Sequence, residues 1–100
     1  MPSAAFHILL SLVDGPLHGY AIMQVVALHT QGAVKMGAGT LYGNIKKLLE
    51  QGFIRETGEG DERRRFYELT PEGLESVKHE ARRLEQTMKA VVRVLGVQNA

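Results

Sequence analysis

No cysteine occurs in the 100 residues. Disulfides, thiolate metal sites and cysteine nucleophiles are thereby excluded, a composition compatible with a reducing cytoplasm. Long apolar runs are lacking too. The run over residues 4–13 is interrupted by His7 and Ser11 and closed by Asp14, far short of the ~20 residues of a membrane-spanning helix. Met1-Pro2-Ser3 brings no basic segment of the kind that opens a secretory signal. Neither sign of charge dominates: 12 Lys+Arg face 11 Asp+Glu, a formal net charge of +1. There is no internal repeat, low-complexity segment or linker.

The distribution of charge says more than its total. Residues 1–34 hold one charged side chain, Asp14; residues 35–47 hold three lysines and no acid; Arg63-Arg64-Arg65 is a second basic cluster. A single basic patch is ordinarily a solvated surface, but local patches outweigh net charge when the partner is a polyanion. The apolar share of 44% supports a core. The length fits one domain, and dimerisation is a natural way for a core this small to bury more surface.

Apolar spacing predicts a first helix over residues 4–13, stopped by Asp14-Gly15-Pro16. A second helix is predicted from Leu17 or His18 to His29; its apolar residues occupy most of the circumference, so it should be largely buried. Residues 30–36 read as a loop. In a third helix, starting at Gly37 and ended by Gly52 as a left-handed cap, Leu41, Ile45, Leu48 and Leu49 define a buried face. Thr40, Gly43, Lys46, Lys47 and Glu50 point the other way, with Tyr42 on the flank. Residues 53–57 and 64–69 read as strands about the turn Gly58-Glu59-Gly60-Asp61; strand alternation then sets Arg65 and Arg64 on opposite faces. Thr70-Pro71 starts a last helix, with Thr70 as cap, Pro71 in the first helical position and Glu72 at the positive dipole end.

The last helix carries Leu74, Val77, Ala81, Leu84, Met88, Val91 and Leu95 at alternating spacings of three and four, a heptad seam. A second copy of the helix can cover it; it can also pack on the first helix of its own chain, or do both. Three helices, a hairpin and a helix make a mainly α fold with a small β-hairpin. The expected architecture is a winged helix-turn-helix over residues 1–70 and a C-terminal dimerisation helix over residues 71–100, continuous with it.

Gly15-Pro16-Leu17-His18-Gly19-Tyr20, then Gly39-Thr40-Leu41-Tyr42, then Asp61-Glu62-Arg63-Arg64-Arg65-Phe66-Tyr67 with Leu69-Thr70-Pro71-Glu72-Gly73 together resemble the PadR family of bacterial transcriptional regulators, in its short branch with one C-terminal helix. The resemblance covers residues 8–84. It implies a dimeric regulator, a repressor or an activator, in the cytoplasm. The third helix would enter the major groove, the hairpin wing would touch backbone or minor groove, and the C-terminal helix would make the dimer. It also implies a near-palindromic operator and a response to small apolar or aromatic compounds. An effector site is expected between Phe6 and Leu10 of the first helix and Leu84 and Met88 of the last. Ala38 departs from the proline common in the family.

The residues themselves suit that role. Gly39 and Gly43 allow close backbone approach; Thr40 and Tyr42 offer hydroxyls to phosphates. Lys46 and Lys47 neutralise phosphates, and a lysine also reaches guanine acceptors. Asn44 can read adenine if it faces out, although its helical angle lies nearer the buried edge. Arg63, Arg64 and Arg65 can reach phosphates or a narrow minor groove, in competition with Glu59, Asp61 and Glu62. Tyr42 can alternatively cover the core edge. His7, His18 and His29 lack the acidic neighbours and mutual spacing of a metal site, and His18 suits a helix cap. No nucleophile, base and orienting group come together, so no enzyme activity, catalytic residue, metal or cofactor is expected. The alternative from another class is a dimeric winged-helix module that binds protein and not DNA.

Overall fold

The computed structural model describes residues 3–58, 60 and 64–96. Arg63, Glu59, Asp61 and Glu62, which figure in the expectations above, lie outside them. Helix α1 is Ala4–Ser11, opened by Ser3, whose side chain accepts the Phe6 N–H at 3.2 Å. It is two residues shorter than the expected 4–13. Its exit tightens instead: Leu12 and Val13 donate to Leu9 and Leu10, three residues back, and Gly15 follows at φ +148°, where a side chain is disfavoured.

Leu17–His18 form strand β1, not the start of a helix. Helix α2, Gly19–His29, begins after it, with His18 as its cap: Nδ1 accepts the Ala21 N–H at 3.2 Å. Helix α3 is Ala38–Glu50, β2 is Ile54–Glu56, β3 is Phe66–Leu69 and α4 is Pro71–Leu95. The sheet order is β1-β3-β2, antiparallel throughout, with Leu17 opposite Tyr67, His18 opposite Phe66, and Ile54 opposite Leu69. The hairpin is thereby a three-stranded wing, tied to the start of α2 through β1.

The core lies where α1 meets the other three helices and the wing. Ile8, Ile22 and Leu41 are fully buried, with Val26, Ile45, Leu48, Ile54, Tyr67 and Val77 around them. Two expectations change here. Leu49 is not part of the buried face of α3 but half out of it, at 38% exposure. Helix α2 is not largely buried: only Gly19, Ile22 and Val26 are, while Tyr20 and Leu28 are 63% and 75% exposed. The elements of one short chain cover only one side of α2, so its all-round apolar character does not translate into all-round burial.

The turn between α3 and β2 fixes how the wing and α4 sit. Gly52 takes φ +77°, the Gly52 N–H donates to the Leu49 carbonyl and the Phe53 N–H to the Leu48 carbonyl, the paired bonds of a left-handed helix end. Thr70 closes on the same turn. Its hydroxyl donates to the Gly52 carbonyl at 2.6 Å, its N–H to the Phe53 carbonyl at 3.1 Å, and its Oγ1 accepts the Gly73 N–H at 3.1 Å. One threonine thus caps α4 and binds it to the end of α3. Beyond that junction α4 continues for 25 residues, about 37 Å at 1.5 Å per residue, which accounts for the long 52 Å axis of the molecule.

Candidate nucleic-acid interface

Helix α3 turns one face into the core and the other outward. Ala38, Gly39, Thr40, Tyr42, Gly43, Lys46 and Lys47 all lie exposed. Gly37 caps the helix with extended backbone and no side-chain hydrogen bond, and the first turn holds no acid. The positive end of the helix dipole is therefore left without a compensating group of its own, a favourable setting for an anion.

A Cβ added to Gly39 or Gly43 would meet nothing within 4 Å. Packing among the described residues does not require these glycines, yet each costs a helix roughly 1 kcal/mol relative to alanine. Their effect is to keep the outer face of α3 flat. Asn44 is half-buried, and its Nδ2 donates to the Thr40 carbonyl at 2.8 Å, so its amide is engaged within α3.

The wing brings Arg64 and Arg65 beside this face. Both are exposed, and both line a cleft with His18, Gly19, Tyr20 and Tyr42. Strand alternation would have set them on opposite faces, but β3 begins only at Phe66, so the two arginines escape that alternation. Arg65 has a loose partner across the wing, Glu56 at 3.7 Å, with the arginine side chain 62% exposed. Exposed pairs of this kind contribute only ~0–1 kcal/mol, so a phosphate can compete for the guanidinium. Burial pushes the Tyr67 phenol above its ordinary value; Glu56 and Tyr42 add to the shift and Arg65 opposes it.

Sequence reasoning passed over His18, Gly19 and Tyr20 as parts of this surface. Their signal was the Gly-Pro-Leu-His-Gly-Tyr run itself, which β1 folds back against the wing. Arg55 lies apart from this surface: it pairs with Glu68 directly across the sheet at 3.0 Å and lines a cleft with Leu12, Pro16 and Leu74.

The seam of α4 divides. Val77 is buried in its own chain, and Leu74 is half-buried. Ala81 is exposed and Leu84 half-buried; Met88, Val91 and Leu95 are 55%, 38% and 68% exposed. Ion pairs Glu80–Arg83 at 3.2 Å and Glu85–Lys89 at 3.3 Å run beside them. Of the residues expected to bound an effector site, Leu10 is half-buried. Phe6 lines a cleft of about 380 Å³ with Leu48, Phe53, Glu80 and Arg83, whose walls do not include Leu84 or Met88. Among the described residues no group of three His, Asp or Glu is placed to hold a metal ion, and no helix is long and apolar enough to cross a membrane.

Comparison with known proteins places this geometry. The family model of the transcriptional regulator PadR-like family matches residues 8–79. A transcriptional regulator from Clostridium thermocellum, Cth-833, superposes with a TM-score of 0.76 at 27% identity, over 90% of each chain. Bacillus subtilis PadR, solved in complex with operator DNA, superposes with a TM-score of 0.67 at 27% identity, over 81% of this chain and 48% of that one. An uncharacterized 37.1 kDa protein in transposon TN4556 of Streptomyces fradiae is 39% identical over 74 residues, 74% of this chain. The chain spans only 21% of that relative's length.

Proposed function

This chain belongs to the PadR-like family of transcriptional regulators, and from that premise we propose that it binds specific double-stranded DNA as a homodimer and represses transcription by occupying promoter DNA. Chains of this family are DNA-binding regulators and not enzymes. The observation that carries the reading is the outward face of α3: two lysines, two hydroxyls and two glycines that internal packing does not require, flanked by Arg64 and Arg65. In the proposed complex α3 enters the major groove, with Thr40, Tyr42 and Lys47 on phosphates and Lys46 within reach of guanine. The wing arginines follow the backbone. The residues from Ala81 to Leu95 on α4 pair with those of a second copy. The two α3 helices then face grooves one helical turn apart, ~34–36 Å or a multiple, on a near-palindromic operator. The protein acts in the cytoplasm, and the complex needs no metal or cofactor.

Fluorescence anisotropy on duplex DNA from just upstream of its own gene, against a scrambled duplex, tests this. Tight binding to the first and weak binding to the second are expected, with affinity falling steeply as salt rises. Lys46→Ala should weaken binding about fivefold to tenfold and reduce the salt slope by about 1. Equally weak binding to both duplexes, and no sequence enriched from a random pool, would leave a protein-binding module as the reading. Transcription from that promoter in vitro should fall when the protein is added; a rise would make it an activator.

An apolar or aromatic effector belongs between Phe6 and Leu10 of α1 and Leu84 and Met88 of α4, where the chain leaves α4 part-covered and methionine adapts to shape. Binding there would alter the angle between paired α4 helices and so the separation of the α3 helices. In a thermal-shift screen of aromatic compounds, at least one should raise the melting temperature and lower DNA affinity together. A screen with no stabiliser removes the effector from this account.

A further inference from the structure

Gly19 opens α2, and its backbone does not call for glycine: it is not among the positions with positive φ. Space does call for it. A Cβ added there would lie 2.5 Å from the hydroxyl of Tyr42, 3.0 Å from Tyr42 Cζ and 3.2 Å from Leu41 Cδ2. Tyr42 is 50% exposed on the flank of α3, so its ring has solvent to turn into, yet its hydroxyl rests on the first turn of α2. The missing methyl is the room it occupies.

That hydroxyl borders the cleft already described, about 220 Å³ in volume and lined by His18, Gly19, Tyr20, Tyr42, Arg64 and Arg65. Two guanidinium groups and two phenols edge it; among the described residues no carboxylate is in its lining, and Glu56 reaches Arg65 from across the wing at 3.7 Å. The imidazole of His18 is a wall more than a ligand: Nδ1 already accepts the Ala21 N–H, and the ring stands edge-on to Phe66 at 5.4 Å. A phenol hydroxyl beside guanidinium groups suits one phosphodiester. The hydroxyl donates to one phosphate oxygen, and a guanidinium gives charge-assisted bonds to others.

We infer that Gly19 is a positioning residue for DNA binding: without a Cβ it holds the Tyr42 hydroxyl at the mouth of this cleft, where Tyr42, Arg64 and Arg65 together take one backbone phosphate. The inference rests on the DNA-binding reading and adds to it a residue that itself need not touch DNA. It also explains why the start of α2, the flank of α3 and the entry to β3 are drawn to one point. The phosphate is gripped by α3 and the entry to β3 at once, which fixes the wing relative to α3.

The experiment is a double-mutant cycle. Gly19→Ala, Tyr42→Phe and the combined variant are titrated onto the duplex bound by the parent chain and onto a random duplex, and each is melted by circular dichroism. Gly19→Ala should melt within a few degrees of the parent, since alanine suits a helix start as well as glycine does once Tyr42 has moved. Its affinity should fall about tenfold, by the same factor on both duplexes, as loss of a phosphate contact does. Tyr42→Phe should lose a similar factor. The combined variant should bind no more weakly than Tyr42→Phe, because phenylalanine has no hydroxyl for the methyl to displace. Losses that multiply toward a hundredfold would overturn the inference and leave Leu41 as the group that Gly19 accommodates. So would parental affinity in Gly19→Ala. If Gly19→Ala does not fold, the combined variant decides: folding and binding like Tyr42→Phe supports the inference, and failure to fold overturns it. A parent chain that binds no duplex at low salt fails the DNA-binding reading itself, before any variant is compared.

Discussion

A chain carrying Leu84→Glu and Met88→Glu should sediment as a monomer and bind its operator at least about a hundredfold more weakly. The reasoning starts from the uncovered part of α4. Leu84 is half-buried and Met88 is 55% exposed within one chain, so carboxylates there can reach water in the monomer and the fold should survive. In a paired seam the same carboxylates would be desolvated among apolar side chains and face their symmetry mates. Burying unpaired charge costs several kcal/mol per group, more than a small interface can supply. The loss of DNA affinity follows from linkage of the two half-sites. Two reading helices held together gain roughly a hundredfold to ten-thousandfold over one, and a monomer forfeits that gain. Sedimentation equilibrium, circular dichroism and anisotropy on one preparation separate the effects. A dimer that persists would move the interface away from this seam. A monomer that keeps parental affinity would show that one copy reads the whole site.

Gly73→Ala should be among the most destabilising single substitutions, although it removes no contact and improves helix propensity. Gly73 lies in the first turn of α4 and is buried. A Cβ added there would collide with the carbonyl oxygen of Phe53 and reach Leu69 Cδ2 at 3.0 Å. The Leu69 methyl can yield; the Phe53 carbonyl cannot, because it accepts the Thr70 N–H while the Phe53 N–H is spent on Leu48. Relief of the clash therefore opens the junction that ties α3, β2 and α4 together. Alanine's advantage over glycine within a helix is at most about 1 kcal/mol. Overpacking typically costs about 1–3 kcal/mol and occasionally more, and fixed backbone puts this clash at the upper end. A net loss of about 2 kcal/mol or more should lower the melting temperature by roughly 10 °C in a domain of this size. Protein concentration must be held constant, since a dimer's apparent stability depends on it. A variant that melts within about 2 °C of the parent would mean that this turn gives way freely.

Gly73 and Gly19 also mark how far the sequence could be read. Thr70 and Pro71 announced the start of α4, and Gly52 the end of α3, because capping chemistry is local: a hydroxyl three residues from an unpaired N–H, a residue free to take positive φ. The outward set on α3, from Thr40 to Lys47, followed from the 3.6-residue period for the same reason. Gly73 and Gly19 were legible as letters of a motif but not as physical necessities. What each avoids, the Phe53 carbonyl and the Tyr42 hydroxyl, is brought near only by folding.

The remaining differences share that origin. Leu17 and His18 carry no strand signal, since two residues have no period; they become β1 because β3 offers them a free edge. Arg64 and Arg65 line one cleft because the strand starts two residues later than its composition suggested. Helix α2 is apolar all round and still half uncovered, because burial depends on how many neighbours the fold supplies. By itself, then, the sequence determined the helices, the capped end of α3 and start of α4, the heptad spacing of α4 and the basic face, all of which depend on neighbours a turn or less away along the chain. The tertiary structure decided which of those surfaces are spent on the chain's own core and which stay open. It also decided that α2, α3 and the wing converge on one cleft, because those contacts join residues more than twenty positions apart and exist only once the chain is packed.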